Sequence, residues 1–133
     1  MKKFDKDIER IYTLSYAKII DLHFRMQEEV KYQYNLRHNP HNLKDAISVC
    51  EQAISISNIV LEAMIEKKRG ECAEYFSVTG RRSPDNKFYY PSHYAAEALC
   101  KIYKELGEQE KITNIQNKMN AEGWGSGRYE SVN

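Results

Sequence analysis

The stretch that decides the fold is Pro91-Ser-His-Tyr-Ala-Ala-Glu-Ala-Leu-Cys-Lys-Ile-Tyr-Lys-Glu-Leu-Gly107, followed by Glu-Gln-Glu-Lys-Ile-Thr-Asn-Ile-Gln-Asn-Lys-Met-Asn-Ala-Glu-Gly-Trp124. Apolar side chains recur every three or four residues on both sides of Gly107, as they do on the buried face of an α-helix. Glycine readily ends one helix and turns the chain toward the next. The stretch therefore predicts a helical hairpin over residues 92–121, capped by Ser92, and a flexible tail over residues 122–133.

The first half of the chain carries the same periodicity. An apolar stripe that includes Ser15 predicts a long helix over residues 5–37, which Pro40 would end because proline disfavours a helical predecessor. A second stripe predicts a helix over residues 42–69, with Asn42 as its N-cap and Gly70 at its end.

Two segments in the middle of the chain allow more than one prediction of secondary structure. A turn at Ser57-Asn58 would split the second helix, but the stripe crosses that point in phase, so a continuous helix is predicted. Residues 70–91 contain Thr79-Gly80 and Ser83-Pro84, which are typical of turns, and predict a loop or a short helix.

Composition narrows the class of protein. The chain has 133 residues, which fits a single helical domain over residues 1–133, and its net charge of +1 favours neither nucleic acid nor an anionic membrane as a partner. The charged N-terminus lacks the apolar core of a signal peptide, and no run approaches the length of a membrane span. Three widely spaced cysteines are typical of reduced thiols. These features predict a cytoplasmic protein with no membrane partner.

Part of the hairpin matches a known repeat. Leu99, Cys100, Tyr103 and Gly107 have the spacing of the first helix and turn of a tetratricopeptide hairpin, which this stretch resembles. A weaker match around Ala46 and Ala53 is similar to the second helix of such a hairpin, and the Pro-Ser-His opening and Gly-Trp ending are similar to those of bacterial helical-hairpin proteins. The predicted fold class is all-α, with four main helices as antiparallel hairpins, packed as tetratricopeptide-like repeats or as an irregular helical bundle.

The resemblance implies a function and a surface. Tetratricopeptide hairpins grasp other proteins, so the sequence predicts a non-catalytic protein–protein interaction module for a protein or peptide partner. By position in the first helix of the hairpin, the binding surface would consist of Tyr94, Glu97, Lys101 and Lys104. Stacked repeats need several units, and this chain offers at most two. The long first helix is therefore predicted to cap the stack or to form a homodimer.

A second function is suggested by residues 67–90, which hold six Lys or Arg against three Asp or Glu, a net charge of +3. Cations interleaved with aromatic rings are what single-stranded nucleic acid binds. The alternative prediction is a nucleic-acid-binding accessory protein, and the residues that would make the contact are Arg81, Arg82, Lys87, Tyr89 and Tyr90. The competing explanation is that the cations complement a helix end and the rings pack the loop, and that explanation is favoured.

The sequence predicts neither a catalytic site nor a metal site. His38 and His41 have a ligand-like spacing but flank Pro40, so they do not share a helix face. Ser92 beside His93 is better explained as a helix cap than as a nucleophile and its base. No catalytic residue, metal or cofactor is predicted.

Overall fold

A computed structural model describes residues 3–133 of the chain. It confirms the predicted all-α class, and it adds one small sheet that the sequence did not predict. Its elements are α1 (Asp5–Glu9), a 3₁₀ turn (Ile11–Thr13), α2 (Tyr16–Asn35), α3 (Pro40–Ser55), α4 (Ser57–Thr79), β1 (Lys87–Tyr89), α5 (Tyr94–Glu105), α6 (Gln109–Glu122) and β2 (Tyr129–Ser131).

Helix α2 lies at the centre of the fold. It packs against α3 on one side and α4 on the other, and α3 in turn packs against α5, which pairs with α6. The helix buries residues from one face, as its amphipathic pattern requires. These residues are Ile19, Leu22, His23, Met26 and Val30. One continuous hydrophobic core joins all these helices.

The predicted helix over residues 5–37 is wrong in its first third. The chain breaks after α1, and Ser15 is the N-cap of α2, its hydroxyl accepting a hydrogen bond from the Lys18 N–H at 3.2 Å. The break folds the N-terminal segment back, so that Phe4 and Ile11 enter the core. An ion pair of 2.6 Å between Lys3 and Glu29 fastens the segment to α2.

The predicted continuous helix over residues 42–69 is also wrong. The structure begins α3 at Pro40, with Asn39 rather than Asn42 as the N-cap, and interrupts it at Ile56, where the chain bends by 55° into α4. A proline suits the first helical position because its missing N–H would have no partner there. The bend allows both helices to pack against α2, whose 20 residues span only about 30 Å.

Helix α4 runs past Gly70, so the predicted loop or short helix over residues 70–91 is a helix for its first ten residues. The left-handed C-cap is Gly80, whose φ of 71° suits glycine. The chain of α4 from Gly70 to Thr79 projects beyond the core, and of its side chains only Cys72 is buried.

Helices α5 and α6 form the predicted hairpin, with two differences at its ends. The N-cap of α5 is His93 and not Ser92, because His93 Nδ1 accepts the Ala96 N–H at 3.0 Å. The tail is not free: β2 pairs antiparallel with β1, matching Lys87 with Ser131 and Tyr89 with Tyr129. Val132, only 1% exposed, anchors the end of β2 against the body of the protein.

Candidate binding surfaces

The four residues predicted as the binding surface lie along one face of α5. Glu97, Lys101 and Lys104 are exposed, and no ion pair holds any of them within residues 3–133. Tyr94 is half-buried, and the Lys31 ammonium lies 5.3 Å from the centre of its ring. The face thus continues from α5 onto α2 through a cation–π contact.

Four of the five residues predicted to contact nucleic acid are exposed, and the fifth, Tyr90, is half-buried. Arg81 and Arg82 are exposed, and no acidic side chain of residues 3–133 pairs with them. Lys87 lies over the Tyr129 ring at 4.6 Å, and the Tyr89 and Tyr129 rings lie 5.5 Å apart on the outer face of the sheet. These four residues are accessible to a ligand.

Tyr90 makes contacts with other residues of the chain instead. Its hydroxyl donates to Glu130, and the Arg128 guanidinium lies 5.4 Å from its ring centre. Its ring also fills the space where a Cβ at Gly123 would come within 2.7 Å. Glu130 raises the pKa of the Tyr90 hydroxyl by accepting a hydrogen bond from it, and burial adds to the effect. Tyr90 therefore packs the loop against the end of α6 and the segment that follows it.

A groove of about 600 Å³ lies between the projecting end of α4 and the end of the sheet; we call it the basic groove. Its floor holds Val132 and Cys72, which are buried, and its rim holds Phe76, which is 56% exposed. The cations that line it are Arg69, which is paired with Glu66, and Arg82. The sequence indicated these cations but not the groove, because β2 comes from a tail predicted to be mobile.

A cluster of aromatic and polar side chains, most of them buried, joins α2, α4, α5 and α6; we call it the buried junction. Its members are His23, Ser57, His93, Lys118, Glu122 and Trp124. The His23 ring stacks on Trp124 at a centroid distance of 5.8 Å, and His93 meets the same indole edge-on at 4.8 Å. Within residues 3–133, His23 Nδ1 and His93 Nε2 are buried without a hydrogen-bond partner. Both imidazoles therefore lie in an environment that disfavours charge.

The titration of the two histidines reflects this environment. Burial lowers the pKa of His23 from 6.5 to about 4. The pKa of His93 is also lowered to about 4, mainly by burial and next by repulsion from His23, with Glu122 opposing the shift and Lys118 adding to it. Both side chains are neutral at pH 7, and the Ala96 N–H bonded to Nδ1 fixes the proton of His93 on Nε2.

Glu122 is the acceptor at the polar end of the junction. Ser57 Oγ donates to its carboxylate at 2.7 Å and Trp124 Nε1 donates at 3.0 Å, while Lys118 pairs with its second oxygen. Burial opposes its charge, but the hydrogen bonds from Lys118, Ser57 and Trp124 outweigh burial and lower its pKa.

The junction contains a serine and a lysine, a pair that some enzymes use as a nucleophile and its base, and Lys118 Nζ donates to Ser57 Oγ at 2.8 Å. Two features argue for a structural role. Ser57 is completely buried, and Lys118 is engaged in an ion pair with Glu122. The sequence did not indicate this cluster, because its members are separated by up to about a hundred residues and no local motif links them.

Residues 3–133 contain no group of three or more His, Cys, Asp and Glu arranged to hold a metal ion. His41 pairs with Asp45 at 3.3 Å on the surface of α3. The three thiols are free, and burial, followed by the charge of Glu51, raises the pKa of Cys50 to about 12. Burial and then Glu97 also raise the pKa of Cys100, so neither thiol is activated as a nucleophile.

Across residues 3–133, no helix taken alone combines the length and apolar character needed to cross a membrane; α3 and α4 meet that criterion only as a bent pair, and only by length and composition. Comparison with known proteins adds no relative: no family model, curated protein or solved structure matches the chain.

Proposed function

We propose that this chain is a non-catalytic protein–protein interaction module and that its partner lies on the face of α5. The observation that carries the proposal is the row formed by Tyr94, Glu97, Lys101 and Lys104, with three charged side chains that have no ion-pair partner within residues 3–133. Unpaired charges of both signs on a rigid helix favour a partner with complementary charges, because they set orientation and speed the encounter.

The packing order supports a tetratricopeptide-like arrangement. Helices α2 and α3 are one hairpin, α5 and α6 are another, and α3 packs between α2 and α5. In stacked repeats the second helix of one hairpin likewise packs on the first helix of the next. Helix α4 is an addition that covers α2, which leaves α5 as the first helix with the more open face.

The predicted homodimer needs a new physical basis, because the long helix on which it rested is broken before Ser15 and α2 has only 20 residues. Its outer face still exposes Phe24 and Tyr32 beside a groove of about 540 Å³ that also includes Arg25 and Glu28. Aromatic rings flanked by charges of both signs fit a second copy of the same face.

We expect light scattering to give twice the chain mass, and the double variant Phe24→Glu, Tyr32→Glu to give a monomer. A monomer for the unaltered chain at 100 µM would contradict the homodimer proposal.

Nucleic-acid binding remains the second candidate, and its specific support is the accessible set Arg81, Arg82, Lys87 and Tyr89. Single-stranded nucleic acid combines phosphates for the arginines with bases for the exposed ring. The set is small, and the Tyr90 hydroxyl is already bonded to Glu130.

The free thiols Cys50, Cys72 and Cys100 fit a reducing compartment, so the cytoplasm is the proposed location.

Site-specific photo-crosslinking separates the two candidates. Benzoylphenylalanine replaces Lys101 on the α5 face, Arg81 in the basic segment, or Asn117 on the outside of α6 as a control; all three are exposed. After irradiation in an extract of the source cells, we expect a discrete protein adduct from position 101 and none from position 117. Nucleic-acid adducts from position 81, with no protein adduct from position 101, would replace the proposal by its rival.

A further inference from the structure

One wall of the basic groove is a single face of α4. Arg69, Cys72, Ala73 and Phe76 all line the groove, and their spacing is that of residues on one side of a helix. Arg69 and Phe76 are two turns apart, which is about 10 Å along the helix axis. A ligand that lies along this wall therefore meets small and apolar side chains over a length typical of a small molecule.

The two cations of the groove differ in whether their charge is already balanced. Arg69 is paired with Glu66, whereas Arg82 has no ion pair in the part of the chain that the structure describes. The nearby Asp85 is engaged by Lys68 at 2.6 Å, and the described residues that line the groove include no Asp or Glu. One positive charge is thus left unbalanced. It complements a carboxylate, with its single negative charge, better than a phosphate ester, which carries nearly two.

The opposite side of the groove adds neutral hydrogen-bonding groups and an apolar floor. Asn86 and Ser131 line it, and neither side chain has a hydrogen-bond partner among the described residues. An amide NH₂ and a hydroxyl can each donate to an anionic oxygen. Val132 forms the apolar floor beside them. The volume of about 600 Å³ lies in the range of pockets that hold small molecules.

We propose that the basic groove binds a small amphipathic carboxylate, a molecule that joins one carboxylate to one aromatic ring or short acyl chain. Its carboxylate accepts hydrogen bonds from Arg82, Asn86 and Ser131. Its apolar part lies against the α4 wall at Ala73 and Phe76. The groove is separate from the α5 face, so the proposal does not depend on the proposed function there.

A chemical-shift titration of the isotope-labelled full chain with phenylpropanoate tests the proposal. Phenylpropanamide keeps the ring without the charge, and acetate keeps the carboxylate without the ring. We expect phenylpropanoate to bind with a dissociation constant below about 1 mM and to shift the amides that line the groove. Each control should bind at least about tenfold more weakly, because it lacks one of the two contacts. Equal affinity for the amide, or shifts confined to other surfaces, would overturn the proposal.

A pair of neighbouring charge reversals tests the contact with the carboxylate. Arg82→Glu should weaken binding of phenylpropanoate at least about tenfold, since repulsion is added to the lost attraction. Arg81→Glu makes the same change one residue away, at an exposed position that does not line the groove, and should weaken binding less than about threefold. Equal effects would mean that only the general charge of the segment attracts the ligand, which would overturn the proposal.

Two further comparisons test the apolar contact and the class of anion. Phe76→Ala should weaken binding at least about threefold, because it removes apolar surface from the wall. Val78→Ala, at a position 80% exposed and outside the groove, should leave binding unaltered. Equal effects of the two variants would contradict the assigned wall. Phenylethyl phosphate should bind no more tightly than phenylpropanoate, and tighter binding would assign the groove to phosphate esters in place of carboxylates.

Discussion

The two ends of α4 lie in opposite surroundings. At its start, Ser57 is fully buried in the junction and is hydrogen-bonded to Glu122 and Lys118. The indole of Trp124 and the two imidazoles contact one another beside this network. At its far end, Phe76 and Val78 are exposed and Arg82 just beyond has no ion pair within residues 3–133. The first end has its contacts inside the protein and stabilises the fold, whereas the second leaves charge and apolar surface available to a partner. The comparison predicts that substitutions at the two ends affect different measurements.

The largest effect on stability is expected at Trp124. It is 4% exposed, and two imidazoles and Glu122 contact it, so Trp124→Ala leaves a large cavity in the junction. We expect the free energy of unfolding to fall by about 3–5 kcal/mol. Urea denaturation followed by circular dichroism measures the change. A loss below 1 kcal/mol would mean that the junction does not hold the helices together.

The next effect is a loss of stability in acid. His23 and His93 have a pKa of about 4 when folded and 6.5 when unfolded, so the unfolded chain binds protons more readily between these values. The stability that depends on these neutral histidines is therefore at its maximum above pH 6.5, and the free energy of unfolding falls as the pH drops toward 4. The loss is on the order of 3 kcal/mol for each histidine, less where their titrations are coupled.

Urea midpoints at pH 7.5, 5.5 and 4.5, read from the fluorescence of the single tryptophan, measure this dependence. The variant His93→Asn keeps a side-chain acceptor at the N-cap but removes one titration, and it should flatten the pH dependence. His38→Asn, at an exposed position, is the matched control and should leave it unaltered. Identical pH profiles for all three proteins would refute the role given to His93.

A smaller effect is expected from neutralising the acceptor in the junction. Glu122→Gln weakens the hydrogen bonds from Ser57 and Trp124 and leaves Lys118 without its partner charge. We expect a loss of about 1–3 kcal/mol at pH 7. Glu110→Gln, exposed near the start of the same helix, should cost less than about 0.5 kcal/mol. Equal losses in the two variants would show that the network contributes nothing specific.

The smallest effect on stability is expected at the far end of α4. Phe76→Ala removes a ring that is 56% exposed, and the free energy of unfolding should change by less than about 0.5 kcal/mol. A stability loss comparable to that of Trp124→Ala would show that Phe76 belongs to the core and would remove the contrast between the two ends.

Sequence periodicity predicted the helical class and the buried faces, because those depend on local spacing. It did not predict the break before Ser15, and it rejected the turn at Ser57-Asn58, next to the actual break at Ile56, since Ser15 and Ser57 both lie in phase with the apolar stripes. Those breaks are set by how the helices pack on α2. The junction and the basic groove were also beyond local reasoning, because each assembles residues from separate elements. The charged residues of α5 were found because a single exposed helix face carries them all.

The central claim is that the α5 face recognises a partner without supporting the fold. The double variant Lys101→Glu, Lys104→Glu tests it most directly, because both side chains are exposed and have no ion pair within residues 3–133. We expect its thermal midpoint to stay within about 2 °C of the unaltered chain. Benzoylphenylalanine at position 97, exposed on the same face, should give a protein adduct with the unaltered lysines and none with the double variant. An adduct that forms undiminished in a correctly folded double variant would contradict the claim.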